Sequence, residues 1–196
     1  MRQIHLLLLF FYIFWGVACQ NKQVQNSTAT TSQEEKEQKK ENQQTNSLQI
    51  EGVNKEAYLK IEQGDYPAAI KILDKNLTDN PNDAEAYFNR AFAKKNLKDF
   101  KGAIEDYTQA IRCEKNYFEA YFNRANIYDF LGDKNKAIED HTAAININAD
   151  FNSAYYNRGL LLYEMGKKQE ACADFAKADA LKHPKAKDTM QKAGCL

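Results

Sequence analysis

Arginine recurs at a fixed interval in this chain: Arg90, Arg124 and Arg158 stand 34 residues apart. An aspartate follows each one by 16 residues, as Asp106, Asp140 and Asp174. A row of arginines could bind an anion, because each guanidinium presents a planar fork of donors. The aspartates favour a different use. A carboxylate matched to each arginine would neutralise it through two parallel hydrogen bonds, giving a ladder of structural ion pairs.

Nothing else in the chain is arranged for catalysis. His141 stands where neighbouring repeats carry an aromatic, and His183 lies in a terminal loop. Both read as packing or surface residues. No serine or cysteine has a convincing base partner, and there is neither a glycine-rich phosphate loop nor a metal-ligand spacing. Enzymatic activity, a cofactor and a bound metal are therefore not expected.

The elements that position the arginines are repeats. Residues 84–117 read AEAYFNRAFAKKNLKDFKGAIEDYTQAIRCEKNY, and residues 118–151 replay them as FEAYFNRANIYDFLGDKNKAIEDHTAAININADF. A third pass from Asn152 keeps Tyr155, Asn157, Arg158, Gly166, Ala171, Asp174, Phe175 and Ala178 at the same offsets. The stretch 50–83 keeps Ala57, Gly64, Tyr66, Ala69, Ile70, Leu73 and Pro81. Contiguous units of this length imply helix-turn-helix repeats.

Over residues 50–182 the pattern resembles the tetratricopeptide repeat. That family places small residues at repeat positions eight, twenty and twenty-seven. Position eight is Ala57, Ala91, Ala125 and Gly159; position twenty is Ala69, Ala103, Ala137 and Ala171. Position twenty-seven is Asn76, Ala110, Ala144 and Ala178, so the first repeat departs there. The usual late proline survives only as Pro81; Lys115, Ala149 and His183 replace it, with Pro184 one place late. The resemblance implies an all-α, right-handed superhelical solenoid of four repeats (50–83, 84–117, 118–151 and 152–183) and a capping helix within 184–196. First helices are expected near 50–62, 84–96, 118–130 and 152–164, and second helices near 66–78, 100–113, 134–147 and 168–181. Gly64, Gly132 and Gly166 would close three first helices, with Lys98 in that place in the second repeat. In the cap, Ala186, Met190 and Ala193 share one face and Gly194 stops the helix.

On this frame each arginine lies on a first helix and its aspartate on the second helix of the same hairpin, so the pairs can meet. The first repeat has Glu56 and Ile72 at those positions and must be held otherwise. The resemblance also implies a concave groove built from first helices. Its candidate residues are Phe88, Asn89, Phe92, Phe122, Asn123, Asn126, Phe130, Tyr156, Asn157 and Leu160, with Glu85, Asn96, Glu119 and Tyr163 beside them. The aromatic row (Phe88, Phe122, Tyr156) offers apolar contact, and the asparagine row (Asn89, Asn123, Asn157) could bond the backbone of an extended peptide. Chaperone-tail binders of the family clamp a terminal carboxylate with lysine, asparagine and arginine. The matching positions here are Asn54, Tyr58, Asn89, Glu119 and Asn123, so that clamp is not expected.

Cys113 and Cys172 fall on second-helix positions that normally face the core, where cysteine behaves as a small hydrophobe. Two readings of Cys172 and Cys195 stay open. A cap folding back antiparallel would bring Cys195 toward Cys172, and a bridge could form and persist outside a reducing cytosol. A buried Cys172 would instead be out of reach.

The N-terminus is a different kind of sequence. Arg2 precedes the apolar run LLLLFFYIFWGV, Leu6 to Val17, which is shorter than the about 20 residues needed to span a bilayer. It reads as a secretory signal over 1–18. Gly16-Val17-Ala18-Cys19 resembles a bacterial lipobox with glycine where leucine is usual, which implies lipidation at Cys19 and a membrane anchor. Residues 19–48 then form a polar tether, expected to be disordered because so little surface can be buried. The chain, at 196 residues and 43% hydrophobic composition, is large enough for one domain with a true core. Basic and acidic residues number 27 each, so no bulk charge recruits nucleic acid. The combined reading is a lipid-anchored protein-binding module, exported and held in the bacterial cell envelope on the periplasmic or outer-membrane side. The alternative is a lipoprotein subunit that stabilises or regulates an envelope enzyme.

Overall fold

The computed structural model describes residues 52–196; the expected signal, Cys19 and the tether lie outside the described residues. Among the described residues every regular element is a helix. They are α1 over residues 52–62, α2 Tyr66–Asp79, α3 Ala84–Asn96, α4 Phe100–Cys113, α5 Phe118–Phe130, α6 Lys134–Ile147, α7 Asn152–Glu164, α8 Lys168–Ala180 and α9 Ala186–Lys192. Odd- and even-numbered helices pair into four hairpins, the first through Ala57 with Leu73 and Ile61 with Ala69, and α9 packs on α8.

Local sequence sets the helix ends. Asp65, Asp83, Asp99 and Asp133 cap α2, α3, α4 and α6, each accepting from the backbone N–H three residues on. The first helices end in a left-handed residue at the expected places. Gly132 has φ +83°, while Lys98 holds the same conformation at φ 66° without glycine's freedom. Each turn is closed by the same bond, such as Asp99 N–H to the Lys94 carbonyl at 2.9 Å and Asp133 N–H to Tyr128 at 2.8 Å.

The alanine positions are where helices touch. Ala57, Ala91 and Ala125, like Ala69, Ala103, Ala137 and Ala171, are fully buried. Gly159 replaces alanine for a steric reason: a Cβ there would lie 2.7 Å from Cε1 of Phe175. Asn76, the departure at position twenty-seven, is equally explained. It is buried and donates to Asn54 Oδ1 at 3.1 Å and to Asp83 Oδ2 at 2.8 Å, while Asn54 donates to Asp83 at 3.1 Å. This amide network holds the first hairpin where the arginine ladder is missing. At the other end α9 buries Ala186, Met190 and Ala193, and Cys195 is bridged to Cys172 with Cα atoms 5.4 Å apart.

Candidate functional site

The three ion pairs share one geometry. Arg90 donates to Asp106 from Nε at 2.9 Å and from Nη2 at 2.6 Å. Arg124 reaches Asp140 at 2.7 Å through both nitrogens, and Arg158 reaches Asp174 at 2.8 Å through both. The aspartate side chains are 5–9% exposed and the arginines 15–19%, so the pairs are largely withdrawn from water. Burial alone would lower the Arg90 and Arg124 pKa values, but the bonds and charge of their aspartates outweigh it and raise them. For Arg158 the bond to Asp174 dominates, with the same result.

The remaining nitrogen of each arginine reaches across to the preceding repeat. Nη1 of Arg90 meets Asp74 at 2.7 Å, that of Arg124 meets Thr108 at 2.9 Å, and that of Arg158 meets Thr142 at 2.9 Å. The ladder therefore ties hairpin to hairpin as well as helix to helix. Sequence reasoning passed over these acceptors. The signal was there, since an oxygen-bearing residue precedes each arginine by 16 positions. With all donor edges engaged, the arginines are not a free row for an anion.

Each ring of the expected aromatic row packs on rings from the second helix and the end of its own repeat. Phe88 stacks on Tyr117 at 4.9 Å and meets Tyr107 edge-on at 5.5 Å. Phe122 packs on Phe151 at 4.8 Å and on His141 at 5.4 Å. Tyr156 stacks on His183 at 4.1 Å, and its hydroxyl lies 3.2 Å from that of Thr189. All three rings are half-buried, with one face spent on these contacts. The asparagine row is also engaged within the protein. Asn89 is buried, Asn123 donates to its own helix at the Glu119 carbonyl (2.8 Å), and Asn157 donates to Asn126 Oδ1 at 2.9 Å. Of these contacts, the one between Asn157 and Asn126 joins successive repeats. Asn54, a clamp position in other family members, is buried in the amide network.

What the inner face leaves open is different. Phe130 is 71% exposed with one side on Phe100 at 4.8 Å, and Tyr163 is 44% exposed. Phe92 carries Lys95 over its ring at 4.4 Å, and Leu160 is half-buried. His141 is enclosed, and burial first and Arg158 second lower its pKa to about 4, so it is neutral at physiological pH. His183 is also shifted down, by burial and then by Lys185. Among the described residues no cluster of His, Cys, Asp and Glu could hold a metal ion. No helix among them is long and apolar enough to cross a membrane.

Comparison with known proteins agrees with this architecture. No curated protein matches the chain. In solved structures, MamA superposes with a TM-score of 0.65 at 29% identity, covering 76% of this chain and 86% of that one. YrrB, described as a TPR protein with an unusual peptide-binding site, gives a TM-score of 0.62 at 20% identity over 68% and 70% of the two chains. The first TPR of Spaghetti (RPAP3), bound to the HSP90 peptide SRMEEVD, gives 0.54 at 22% identity over 57% and 90%. Tetratricopeptide-repeat profiles match residues 54–113, 106–139 and 153–182. Those spans reach into all four hairpins, and the chain belongs to the tetratricopeptide-repeat family.

Proposed function

We propose that this is an exported, lipid-anchored repeat protein that binds a protein or peptide partner on the inner face of α3, α5 and α7, within the bacterial cell envelope. The observation that carries the reading is the exposure of Phe130 and Tyr163 on helices where Phe88, Phe122 and Tyr156 are packed against other rings. Large exposed aromatics on one concave surface are what partner-binding sites use as anchors. Two structures of the same fold, Spaghetti and YrrB, are described with a bound peptide or a peptide-binding site. The anchor rests on Cys19, which follows the apolar run, and on the polar stretch behind it.

A pull-down from envelope membranes with the full chain tests this, followed by identification of the recovered proteins. The wild type should retain a partner that Phe130→Ser with Tyr163→Ser loses, while circular dichroism shows unchanged helix content. Equal recovery by both would remove the partner from the inner face. Recovery of an enzyme whose activity changes with the chain would favour the regulatory-subunit reading.

A further inference from the structure

The cap is held by little besides one covalent bond. Helix α9 has seven residues, too few to persist as a helix unsupported. Its apolar face is small: Met190 and Ala193 pack with Leu162, Ala171 and Phe175 of the last hairpin. Thr189 meets the Tyr156 hydroxyl at 3.2 Å, and the ion pair of Lys192 with Asp188 lies within α9 itself. The stronger fastening is the bridge from Cys195 to Cys172.

That bridge is placed for exchange with an external thiol. Both cysteines are half-buried rather than enclosed, and the neighbouring Leu196 is 76% exposed. Accessible disulfides are the labile ones, because an attacking thiolate can reach the sulfur. Lys168 stands one turn before Cys172 on the same face of α8. A Cβ on Gly194 would lie 3.1 Å from the Lys168 ammonium, so this charge also sits beside the residue preceding Cys195. A cation in that place stabilises a thiolate as it leaves the disulfide, which speeds the exchange.

We propose that the Cys172–Cys195 bridge is a redox latch on α9, opened by an external dithiol, and that opening uncovers the Tyr156 end of the inner face. One thiolate of the dithiol attacks Cys195 Sγ, the S–S bond breaks, and its electron pair leaves on Cys172, which takes up a proton. The second thiol of the reductant then attacks the mixed disulfide. Cys195 is released as a thiol, and the reductant is left oxidised to its own disulfide. Two electrons and two protons have passed to the chain. With the bridge open, α9 lifts from α8, and Tyr156 loses Thr189 and its stack on His183. Leu162, Ala171 and Phe175 lose the cover of Met190 and Ala193. The effect on a partner rests on the inner face being the binding surface; the latch itself does not.

The test titrates the full chain with mixtures of reduced and oxidised dithiothreitol. Alkylation and mass spectrometry count free thiols at Cys172 and Cys195, while amide exchange reads residues 186–193. Exchange there should rise about tenfold or more over the same ratios that free the two thiols, and fall again on reoxidation. Circular dichroism should show the repeats intact throughout. Cys172→Ala with Cys195→Ala should exchange at the fast rate with or without reductant, which keeps the change apart from any other cysteine. Lys168→Met should slow opening about threefold. A bridge that yields only as the repeats unfold, or exchange over 186–193 that ignores reduction, would overturn the latch. In the pull-down from envelope membranes, the double cysteine variant should retain about fivefold more of the partner than wild type, the effect of one added aromatic contact. Equal recovery, with the partner still lost on Phe130→Ser with Tyr163→Ser, overturns the latch's part in binding and leaves the inner-face reading standing. Full recovery by the Phe130 and Tyr163 variant sinks the inner-face reading instead, and exchange over 186–193 still decides the latch.

Discussion

Arg124 grips Asp140 by two bonds of 2.7 Å, one from Nε and one from Nη2, from the first helix of a hairpin to the second. The aspartate side chain is 9% exposed, so removing it leaves a guanidinium with Thr108 as its remaining hydrogen-bond partner in a poorly hydrated place. Asp140→Ala should destabilise the fold by about 1–3 kcal/mol. Adding Arg124→Leu should return part of that loss, because an uncompensated buried charge is worse than an apolar replacement of both partners. Urea unfolding of the single and double variants measures both. A single variant as stable as wild type would mean that the bonds contribute nothing net.

Acid should act on His141 more than on any exposed histidine. The folded protein holds its pKa at about 4, against an ordinary 6.5, because it is buried beside Phe122 with Arg158 nearby. Between those two values the unfolded chain binds a proton that the folded one does not, so stability rises with pH across that window. Going down from pH 6.5 to 4, this one residue should remove about 3 kcal/mol. His141→Phe, which places the aromatic found at Phe175 in the corresponding position, should lose that acid sensitivity. The readout is the difference between the two proteins' pH–stability curves, since carboxylates contribute equally to both.

At Lys98 the turn between α3 and α4 takes φ 66°, a conformation unfavourable for a side chain with a Cβ. The equivalent residues in the other three repeats are Gly64, Gly132 and Gly166. Lys98→Gly should stabilise the protein by about 1 kcal/mol, seen as a higher urea midpoint at unchanged slope. A lower midpoint would show that Lys98 makes a contact worth more than the strain.

The fold was legible because the repeat positions do one job each. An alanine that is fully buried in every hairpin, or a glycine that ends a helix, leaves the same mark on the sequence every 34 residues. The inner face was less legible because Phe88, Phe122 and Asn157 serve two purposes that look alike in a sequence. An aromatic or amide on a concave helix suits a ligand and another side chain of the protein equally well, and distances alone show which it meets. Asn76 looked like a defect until Asn54 was found beside it, because a polar pair compensates only in three dimensions.

Anchoring through Cys19 predicts a change of location without a change of fold. Cys19→Ser should move the protein from the membrane fraction to the soluble envelope fraction, with the repeats intact. A variant that stays with membranes in high salt would end the lipid-anchor proposal. Trp15, the one tryptophan, lies within the expected signal, so purified mature protein should lack tryptophan emission. Emission would mean that the signal is retained.

The Cys172–Cys195 bridge fastens the last helix, and its loss should be felt beyond that helix. Cys172 is half-buried on α8, on the side where α9 packs, so it faces the cap and is within reach of Cys195. The two are 23 residues apart in sequence, a loop for which chain-entropy arguments give about 3 kcal/mol of stabilisation. Without the bridge α9 keeps only its short apolar face, Ala186, Met190 and Ala193, and a helix of seven residues is unstable by itself. Cys172→Ala with Cys195→Ala should lower the melting temperature by about 10 °C. Amide exchange should rise first over residues 186–193. Because Tyr156 stacks on His183 and touches Thr189, the loosened cap should also free that ring on the inner face. Unchanged exchange over 186–193 in the double variant would show that packing alone holds the cap, and that the bridge is not what fastens it.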